Sequence, residues 1–172
     1  ENLIYPEELQ GMHVLVVDDN ETSRQIFTEM LQSFSFNVVA AAFGEEALSE
    51  IKNAVENPFE IVIMDWKMPG MDGVAVAEEI RKMELPVSPK IIIATAYDRG
   101  ELVEKIKEVD VQEILSKPVT NSTLFDSIAE SFGKKIRRKD KTSGKMPDKE
   151  KLKDIQGAKI LLVEDNEINQ EM

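Results

Sequence analysis

Cysteine is absent from this 172-residue chain. Disulfide bridges, thiolate nucleophiles and cysteine-based zinc sites are therefore excluded. Long apolar runs are also missing, so no segment has the composition of a membrane span, and residues 1–10 lack the charged and apolar regions of a signal peptide. We expect a cytoplasmic location, with any membrane anchor carried by other parts of a longer parent protein.

Positive charge is scarce outside one segment. The chain has 33 acidic and 21 basic residues, and its formal net charge is -12. Residues 134–153 carry ten lysines and arginines against three acids, which leaves a net charge of -19 on the remainder. A nucleic-acid-binding surface is therefore not expected. We interpret residues 134–156 as a basic linker.

Five short apolar runs predict strands that are buried on both faces, and five segments with apolar residues at helical spacing alternate with them. The predicted strands are Val14–Val17, Phe36–Ala42, Ile61–Asp65, Ile91–Thr95 and Val111–Leu115. The predicted helices begin at Asn20 or Thr22, Gly44, Gly73, Asp98 and Asn121, and the second, third and fourth of them reach Glu56, Met83 and Val109. This alternation predicts a doubly wound α/β fold with a parallel sheet and right-handed crossovers.

The chain repeats itself after the basic linker. Residues 157–167 align with residues 11–21 at a constant offset of 146, and the apolar strand, the acid pair and the following Asn-Glu all match. We therefore predict a lead-in linker at 1–10, a complete domain at 11–133, the basic linker at 134–156 and the truncated start of a second copy at 157–172.

Polar side chains stand at the ends of four predicted strands. Asp18 and Asp19 follow the first strand, Asp65 ends the third, Thr95 ends the fourth, and Lys117 follows the fifth. Parallel strands place all their carboxyl ends on one edge of the sheet, where ligands of such folds bind. The five side chains are therefore expected to converge on one rim.

The chemistry of this group favours a metal and a phosphoryl ligand. Carboxylates in one cleft repel one another by about 1 to 4 kcal/mol per close pair, and oxygen ligands without cysteine favour Mg²⁺, with Mn²⁺ as a substitute. The metal and Lys117 would neutralise phosphoryl oxygens, and Thr95 would donate a hydrogen bond. Asp65, at the centre, is the candidate nucleophile and would form an acyl phosphate.

The joint pattern resembles the receiver (response-regulator) domain of two-component signalling, over residues 12 to 133. The matching segments are Asp18-Asp19, residues 65–73 (DWKMPGMDG), Thr95-Ala96 and Lys117-Pro118. The resemblance implies a flavodoxin-like sheet of strand order 2-1-3-4-5 with five helices. It also implies that Asp65 accepts a phosphoryl group from phosphohistidine and that Thr95 and Lys117 contact the phosphoryl oxygens. The implied Mg²⁺ ligands, direct or through water, are Asp18, Asp19, Asp65 and the main-chain carbonyl of Lys67.

The tandem copy makes the chain similar to the tandem receivers of a hybrid sensor histidine kinase. The expected partners are the phosphohistidine of a kinase or phosphotransfer domain and the second receiver of the same parent chain. No nucleic-acid partner is expected, and the chain should be a monomer or a weak dimer. We expect an acceptor that phosphorylates and dephosphorylates itself rather than a turnover enzyme, within a parent that is a histidine kinase.

One position departs from the family pattern. The family often carries Phe or Tyr three residues before the lysine as a switch ring, and Ile114 stands there. Switching must then use another packing change or be weak. An alternative function is therefore an interaction module with a receiver fold, in which phosphorylation has little switching effect. Lys67 and Tyr97 flank the site entrance, where we expect them to influence the lifetime of the phosphoryl group.

Two other classes of protein fit the residues less well. A dehalogenase-type phosphatase would need a second acid two residues after the nucleophile, and Lys67 occupies that position. A flavodoxin-like protein that binds FMN would need a phosphate loop rich in Ser, Thr or Gly after the first strand. Asp18 and Asp19 would instead repel the phosphate.

Overall fold

Strands and helices alternate along the chain in the computed structural model, which describes residues 9–97 and 99–133. The strands are β1 (His13–Val17), β2 (Asn37–Ala41), β3 (Ile61–Asp65), β4 (Lys90–Thr95) and β5 (Glu113–Ser116). The helices are α1 (Glu21–Ser33), α2 (Gly44–Asn53), α3 (Gly73–Lys82), α4 (Arg99–Lys105) and α5 (Asn121–Ser131). All strand pairs are parallel and the sheet order is β2-β1-β3-β4-β5, which confirms the predicted fold.

Strand β3 lies at the centre of the sheet. Its residue Met64 pairs with Val17 of β1 on one side and with Ile93 of β4 on the other. All five residues of β3 are buried, because helices cover both faces of the sheet. Burial on both faces explains why the apolar run in the sequence is unbroken. The central position of β3 places Asp65 at the centre of the carboxyl edge.

The core forms two layers, one on each face of the sheet. Consecutive β1 residues alternate between them, with Leu15 and Val17 on the face covered by α2, α3 and α4, and Val14 and Val16 on the face covered by α1 and α5. Each fully buried aliphatic side chain stabilises the fold by about 1.5 to 3 kcal/mol before entropy is counted. The sheet that carries the carboxyl edge is therefore packed on both of its faces.

The helix starts follow local capping chemistry. The Asn20 side chain accepts a hydrogen bond from the Ser23 N–H at 2.9 Å, which confirms Asn20 as one of the two predicted starts of α1. Asp72 caps α3 in the same way through the Ala75 N–H, also at 2.9 Å. No helix among the described residues is long and apolar enough to cross a bilayer.

Three predicted boundaries differ from the observed ones by two or more residues. Helix α2 ends at Asn53, and Val55 beyond it is 66% exposed. Helix α4 ends at Lys105, because the chain turns there and the Val109 N–H bonds to the Ile106 carbonyl; Val103, predicted inward, is 43% exposed. Strand β5 begins at residue 113 rather than 111. Apolar spacing continues past each element end, so the pattern alone overruns it.

Arg81 ties three elements together at the edge of the sheet opposite the carboxyl ends. Its guanidinium donates to the Asp110 carbonyl, the Pro89 carbonyl, the Ser88 hydroxyl and the Gln112 side-chain oxygen. The last of these is a longer bond, at 3.3 Å. We call this group the Arg81 clamp. It joins the end of α3 to the loops before β4 and β5.

Some predictions lie outside the described residues. They are the basic linker at 134–156, the start of a second copy at 157–172, most of the lead-in linker at 1–10, and the capping role of Asp98. The proposed complete domain, 11–133, falls almost wholly within the described part, and α5 closes it with Gly133 at φ +71° just beyond its end.

Candidate functional site

At the carboxyl edge of the sheet, four strands end in a polar residue or are directly followed by one. Asp18 directly follows β1, Asp65 and Thr95 are the last residues of β3 and β4, and Lys117 directly follows β5. Asp18, Asp65 and Thr95 are buried, the only polar or charged residues so classed among those described. Charged groups are rarely buried unless they are paired, so this placement indicates a site rather than an ordinary set of turns.

Lys117 brings the two buried carboxylates together. Its Nζ lies 2.6 Å from Oδ2 of Asp18 and 2.5 Å from Oδ1 of Asp65. The Lys117 side chain is 20% exposed and the two carboxylates less so, which strengthens these charge-assisted bonds. One ammonium faces two carboxylates, so the group retains one uncompensated negative charge.

Burial governs the ionisation of the nucleophile candidate. Desolvation raises the pKa of Asp65 above its ordinary value of 3.8, and the Asp18 charge adds to this effect. The Lys117 hydrogen bond and charge and the Lys67 main-chain N–H oppose it without cancelling it. Burial also acts to lower the pKa of Lys117, but its bonds to the two carboxylates outweigh burial and raise that pKa. Lys117 therefore stays charged.

Thr95 has a hydroxyl proton available for a ligand. Its Oγ1 accepts a hydrogen bond from the Tyr97 N–H at 2.9 Å, and the residue is 1% exposed. No acceptor for the hydroxyl proton is found in residues 9–97 and 99–133. The Thr95 carbonyl meanwhile accepts from the Lys117 N–H at 2.8 Å, and the peptide bond after Lys117 is cis. Thr95 and Lys117 are thus held side by side.

The remaining predicted metal ligands are placed less closely. Asp19 is exposed in the turn after β1, and Lys67 approaches Asp65 through its main chain. In the part of the chain that the structure describes, no three His, Cys, Asp or Glu side chains form a metal-holding group. The donors nevertheless suit Mg²⁺, because Asp18 and Asp65 offer oxygen atoms and an excess negative charge, and Mg²⁺ keeps several waters as ligands.

Two residues that the sequence reasoning missed hold Asp18. The Arg24 guanidinium donates to the Asp18 carbonyl at 2.6 Å, and the Asn20 N–H donates to the Asp18 Oδ1 at 2.9 Å. Together with Lys117, they engage both carboxylate oxygens and the carbonyl. Arg24 lies on α1 one turn beyond the Asn20 cap, and it contacts a main-chain carbonyl, which no side-chain spacing in the sequence signals.

Glycines shape the loop after Asp65. A Cβ on Gly73 would lie 2.4 Å from the Asp65 carbonyl oxygen, closer than side chains approach backbone. Gly70 has φ +80°, a left-handed conformation that favours glycine. The Gly73 N–H also bonds to the Trp66 carbonyl at 2.8 Å. Glycine at 73 therefore lets the start of α3 pack directly against the main chain of Asp65.

Ile114 occupies the predicted switch position and is buried, with 5% exposure, in the core layer under α2, α3 and α4. Lys67 and Tyr97 lie together at the edge of the site, with the Lys67 Nζ 5.5 Å from the centre of the Tyr97 ring. A β-branched aliphatic side chain that is already packed in the core has no polar end to exchange between core and solvent. The Thr-to-aromatic route of the resembled family therefore has no equivalent at this position.

Comparison with known proteins gives a consistent result. A model of the response regulator receiver domain matches residues 14–129. Chemotaxis protein CheY-3 of Vibrio cholerae is 28% identical over 72% of this chain and 93% of its own length. Hybrid signal transduction histidine kinase L of Dictyostelium discoideum is 31% identical over 75% of this chain, which matches only 8% of that protein. The crystal structure of response regulator TrrA from Thermotoga maritima in complex with Mg²⁺ and BeF has a TM-score of 0.60 and 31% identity, covering 70% of this chain and 98% of that one.

Proposed function

This chain belongs to the response regulator receiver domain family of two-component signalling, and from this premise we propose that it takes a phosphoryl group from phosphohistidine onto Asp65. The observation that carries the proposal is the Lys117 ammonium shared between the buried carboxylates of Asp18 and Asp65. The ammonium lies where phosphoryl oxygens would arrive. Because it neutralises only one of the two carboxylates, one negative charge remains that a cation could balance.

Phosphoryl transfer would proceed by attack of a carboxylate oxygen of Asp65 on phosphorus. An oxygen–phosphorus bond forms, and the phosphorus–nitrogen bond to the donor imidazole breaks. The imidazole leaves with that electron pair. Lys117 then pairs with a phosphoryl oxygen, and the free hydroxyl proton of Thr95 donates to another. The Lys67 main-chain N–H favours the ionised form of the attacking Asp65 carboxylate.

Mg²⁺ is the proposed cofactor, with Asp18, Asp19, Asp65 and the Lys67 carbonyl as its ligands, direct or through water. A bound divalent cation supplies neutralisation of phosphoryl charge. Lys117 would release one oxygen of Asp18 and one of Asp65 to the cation. The Asn20 N–H would still orient Asp18, and the Lys67 main-chain N–H would still act on Asp65. The TrrA relative crystallised with Mg²⁺ supports this assignment.

The proposed partners agree with the same chemistry. A histidine kinase or a phosphotransfer domain would supply the phosphohistidine. The similarity to a hybrid histidine kinase and the repeat of residues 11–21 at 157–167 support a parent chain with two receivers. We accordingly propose residues 11–133 as the receiver, 134–156 as a linker and 157–172 as the start of the second receiver.

A second candidate is an interaction module whose phosphorylation has little switching effect. Its support is the burial of Ile114, which removes the usual aromatic switch. Both candidates share the fold, but they differ in the structural effect of phosphorylation. The alternative predicts that a phosphorylated and an unphosphorylated domain present the same surface.

Incubation with Mg²⁺ and acetyl phosphate, with intact mass measurement afterwards, tests the acceptor function. The wild type should gain one phosphoryl group, and Asp65→Asn should gain none. Asp126→Asn is a control away from the site and should behave as the wild type. No added phosphate on the wild type, or equal addition to Asp65→Asn, would contradict the proposal.

A purified phosphotransfer domain carrying phosphohistidine tests the donor class. Transfer should occur to the wild type and not to Asp65→Asn. If acetyl phosphate modifies Asp65 but phosphohistidine does not, the nucleophile is right and the proposed donor is wrong. Comparing amide exchange across the domain in the two phosphorylation states separates the acceptor from the interaction module.

A further inference from the structure

The side chain of Lys67 is drawn away from the nucleophile towards α4. Its main-chain N–H acts on the Asp65 carboxylate and helps to lower the pKa of that group, yet its Nζ lies 4.3 Å from the centre of the Trp66 ring and 3.9 Å from a Glu101 carboxylate oxygen. The Lys67 side chain is 41% exposed. One residue thus touches the phosphorylation site with its main chain and helix α4 with its side chain.

Glu101 holds two lysines over the same aromatic ring. Its Oε1 lies 3.4 Å from the Lys105 Nζ, in addition to its pair with Lys67. The Lys105 Nζ lies 5.3 Å from the centre of the Trp66 ring, within cation–π range. The two ammonium groups repel each other, and among the described residues Glu101 is the acid that pairs with both. We call Lys67, Trp66, Glu101 and Lys105 the α4 clasp.

Trp66 makes the clasp sensitive to the site. It follows Asp65 directly, is fully buried, and its Nε1 has no hydrogen-bond partner among the described residues. Tyr97 packs edge-on against it, with ring centres 6.2 Å apart. The ring therefore contacts both lysines of the clasp and the loop after β4.

Helix α4 is short and buries little of its surface among the described residues. It spans seven residues, Arg99–Lys105, and Leu102 is its one buried side chain among those described. Residues Gly100 and Glu101 and the last three residues of the helix are exposed. Glu101 therefore adds a weak, exposed ion pair to the anchoring of this helix by Leu102.

We propose that Glu101 is a positioning residue for Lys67, and that phosphorylation of Asp65 draws Lys67 off Glu101 and loosens α4. This inference rests on the proposed function. A phosphoryl group adds negative charge beside Lys67, and the Lys67–Glu101 pair is long and exposed, so it is weak and screened by solvent. The Lys67 ammonium therefore moves from Glu101 to the phosphoryl group, whose negative charge is larger and less solvated. The clasp thus links the site to α4 without using position 114.

Hydrogen exchange of the α4 amides, with and without phosphorylation, tests the clasp. In the wild type, exchange over residues 99–106 should rise about twofold to fivefold on phosphorylation, which is the loss of one exposed ion pair. In Glu101→Gln the same rise should be present before phosphorylation, with no further change afterwards. Lys67→Gln removes the pair from its other end and should give the same pattern.

Glu104→Gln is the matched control on the same helix. Glu104 pairs with Lys107 at the exposed end and does not contact the clasp, so this variant should respond to phosphorylation as the wild type does. The inference is overturned if Glu101→Gln and Lys67→Gln retain the full phosphorylation response, or if Glu104→Gln loses it.

The intact mass of each sample separates this inference from the proposed function. A sample that carries phosphate on Asp65 but shows no change in α4 refutes the clasp alone. A wild type that gains no phosphate refutes the proposed function and the clasp with it. The difference between the two phosphorylation states is the decisive measurement, because a purely structural role of Glu101 would alter both states equally.

Discussion

Replacing Gly73 with alanine would displace Asp65, the proposed nucleophile, without touching its carboxylate. The added Cβ would lie 2.4 Å from the Asp65 carbonyl oxygen, whereas carbon–oxygen contacts are ordinarily about 3.3 to 3.6 Å, so the two must separate by about 1 Å. Overpacking of this kind costs about 1 to 3 kcal/mol, and the better helix propensity of alanine offsets about 1 kcal/mol of it. A misplacement of about 1 Å in a reacting group can slow a reaction by about 100-fold.

We therefore expect Gly73→Ala to lose up to about 2 kcal/mol of stability and most of its phosphorylation rate. Urea unfolding measures the first, and the initial rate of mass increase with Mg²⁺ and acetyl phosphate measures the second. Gly70→Ala is the matched control in the same loop. Its φ of +80° should cost about 1 to 2 kcal/mol, while its Cβ would meet only the flexible Glu45 side chain, at 3.4 Å.

The two glycine variants should thus lose similar stability and differ in rate. Gly70→Ala should be phosphorylated as fast as the wild type. The reasoning is refuted if Gly73→Ala retains the wild-type rate, since Asp65 then tolerates the displacement. It is equally refuted if Gly70→Ala slows as much as Gly73→Ala, since general loosening of the loop would then explain both.

Asp65→Asn in metal-free buffer should be more stable than the wild type at neutral pH, because the folded protein holds the Asp65 proton more tightly than the unfolded chain does. The free energy of unfolding of the wild type then falls as the pH rises from 3.8 through the raised pKa of Asp65, and the variant lacks this fall. Urea titrations at several pH values measure both proteins. A wild type at least as stable as the variant at neutral pH would contradict this expectation. Lys67→Ala and Tyr97→Ala should each change the lifetime of the aspartyl phosphate, because both side chains limit the approach of water. Intact mass after donor removal measures this, and two unchanged decay rates disprove it. Arg81→Lys should lower the free energy of unfolding by about 1 to 3 kcal/mol, because one ammonium cannot replace the Arg81 clamp. Lys82→Gln, an exposed change on the same helix, should leave the urea midpoint unaltered, and equal midpoints for both variants would refute the role of the clamp.

Much of the fold was predictable because its signals are local. Strand β3 was predicted with its observed bounds, since an unbroken apolar run ending in an acid and a glycine-rich loop has few other interpretations. Element ends were less predictable. The predicted fourth helix overran Lys105 because apolar spacing continues into a turn whose hydrogen bonds only the folded chain shows.

The candidate site, too, was only partly predictable from the sequence. Asp18, Asp65, Thr95 and Lys117 were found from the sequence because parallel strands bring their carboxyl ends to one edge whatever the details of packing. Arg24 and Glu101 were missed, since each acts through a contact made by a long side chain whose direction depends on its neighbours. The roles of all these residues stay predictions, as do the ligand roles of Asp19 and the Lys67 carbonyl.

The sequence by itself determined the sheet, its central strand and the nucleophile candidate at the end of that strand, because strand type and loop chemistry are encoded in consecutive residues. Tertiary structure alone decided how Lys117 is shared between Asp18 and Asp65, how closely Gly73 approaches Asp65, and where the Lys67 side chain lies. Those features depend on distances between residues far apart in the chain, and such distances are set by the packing of the two core layers around the sheet.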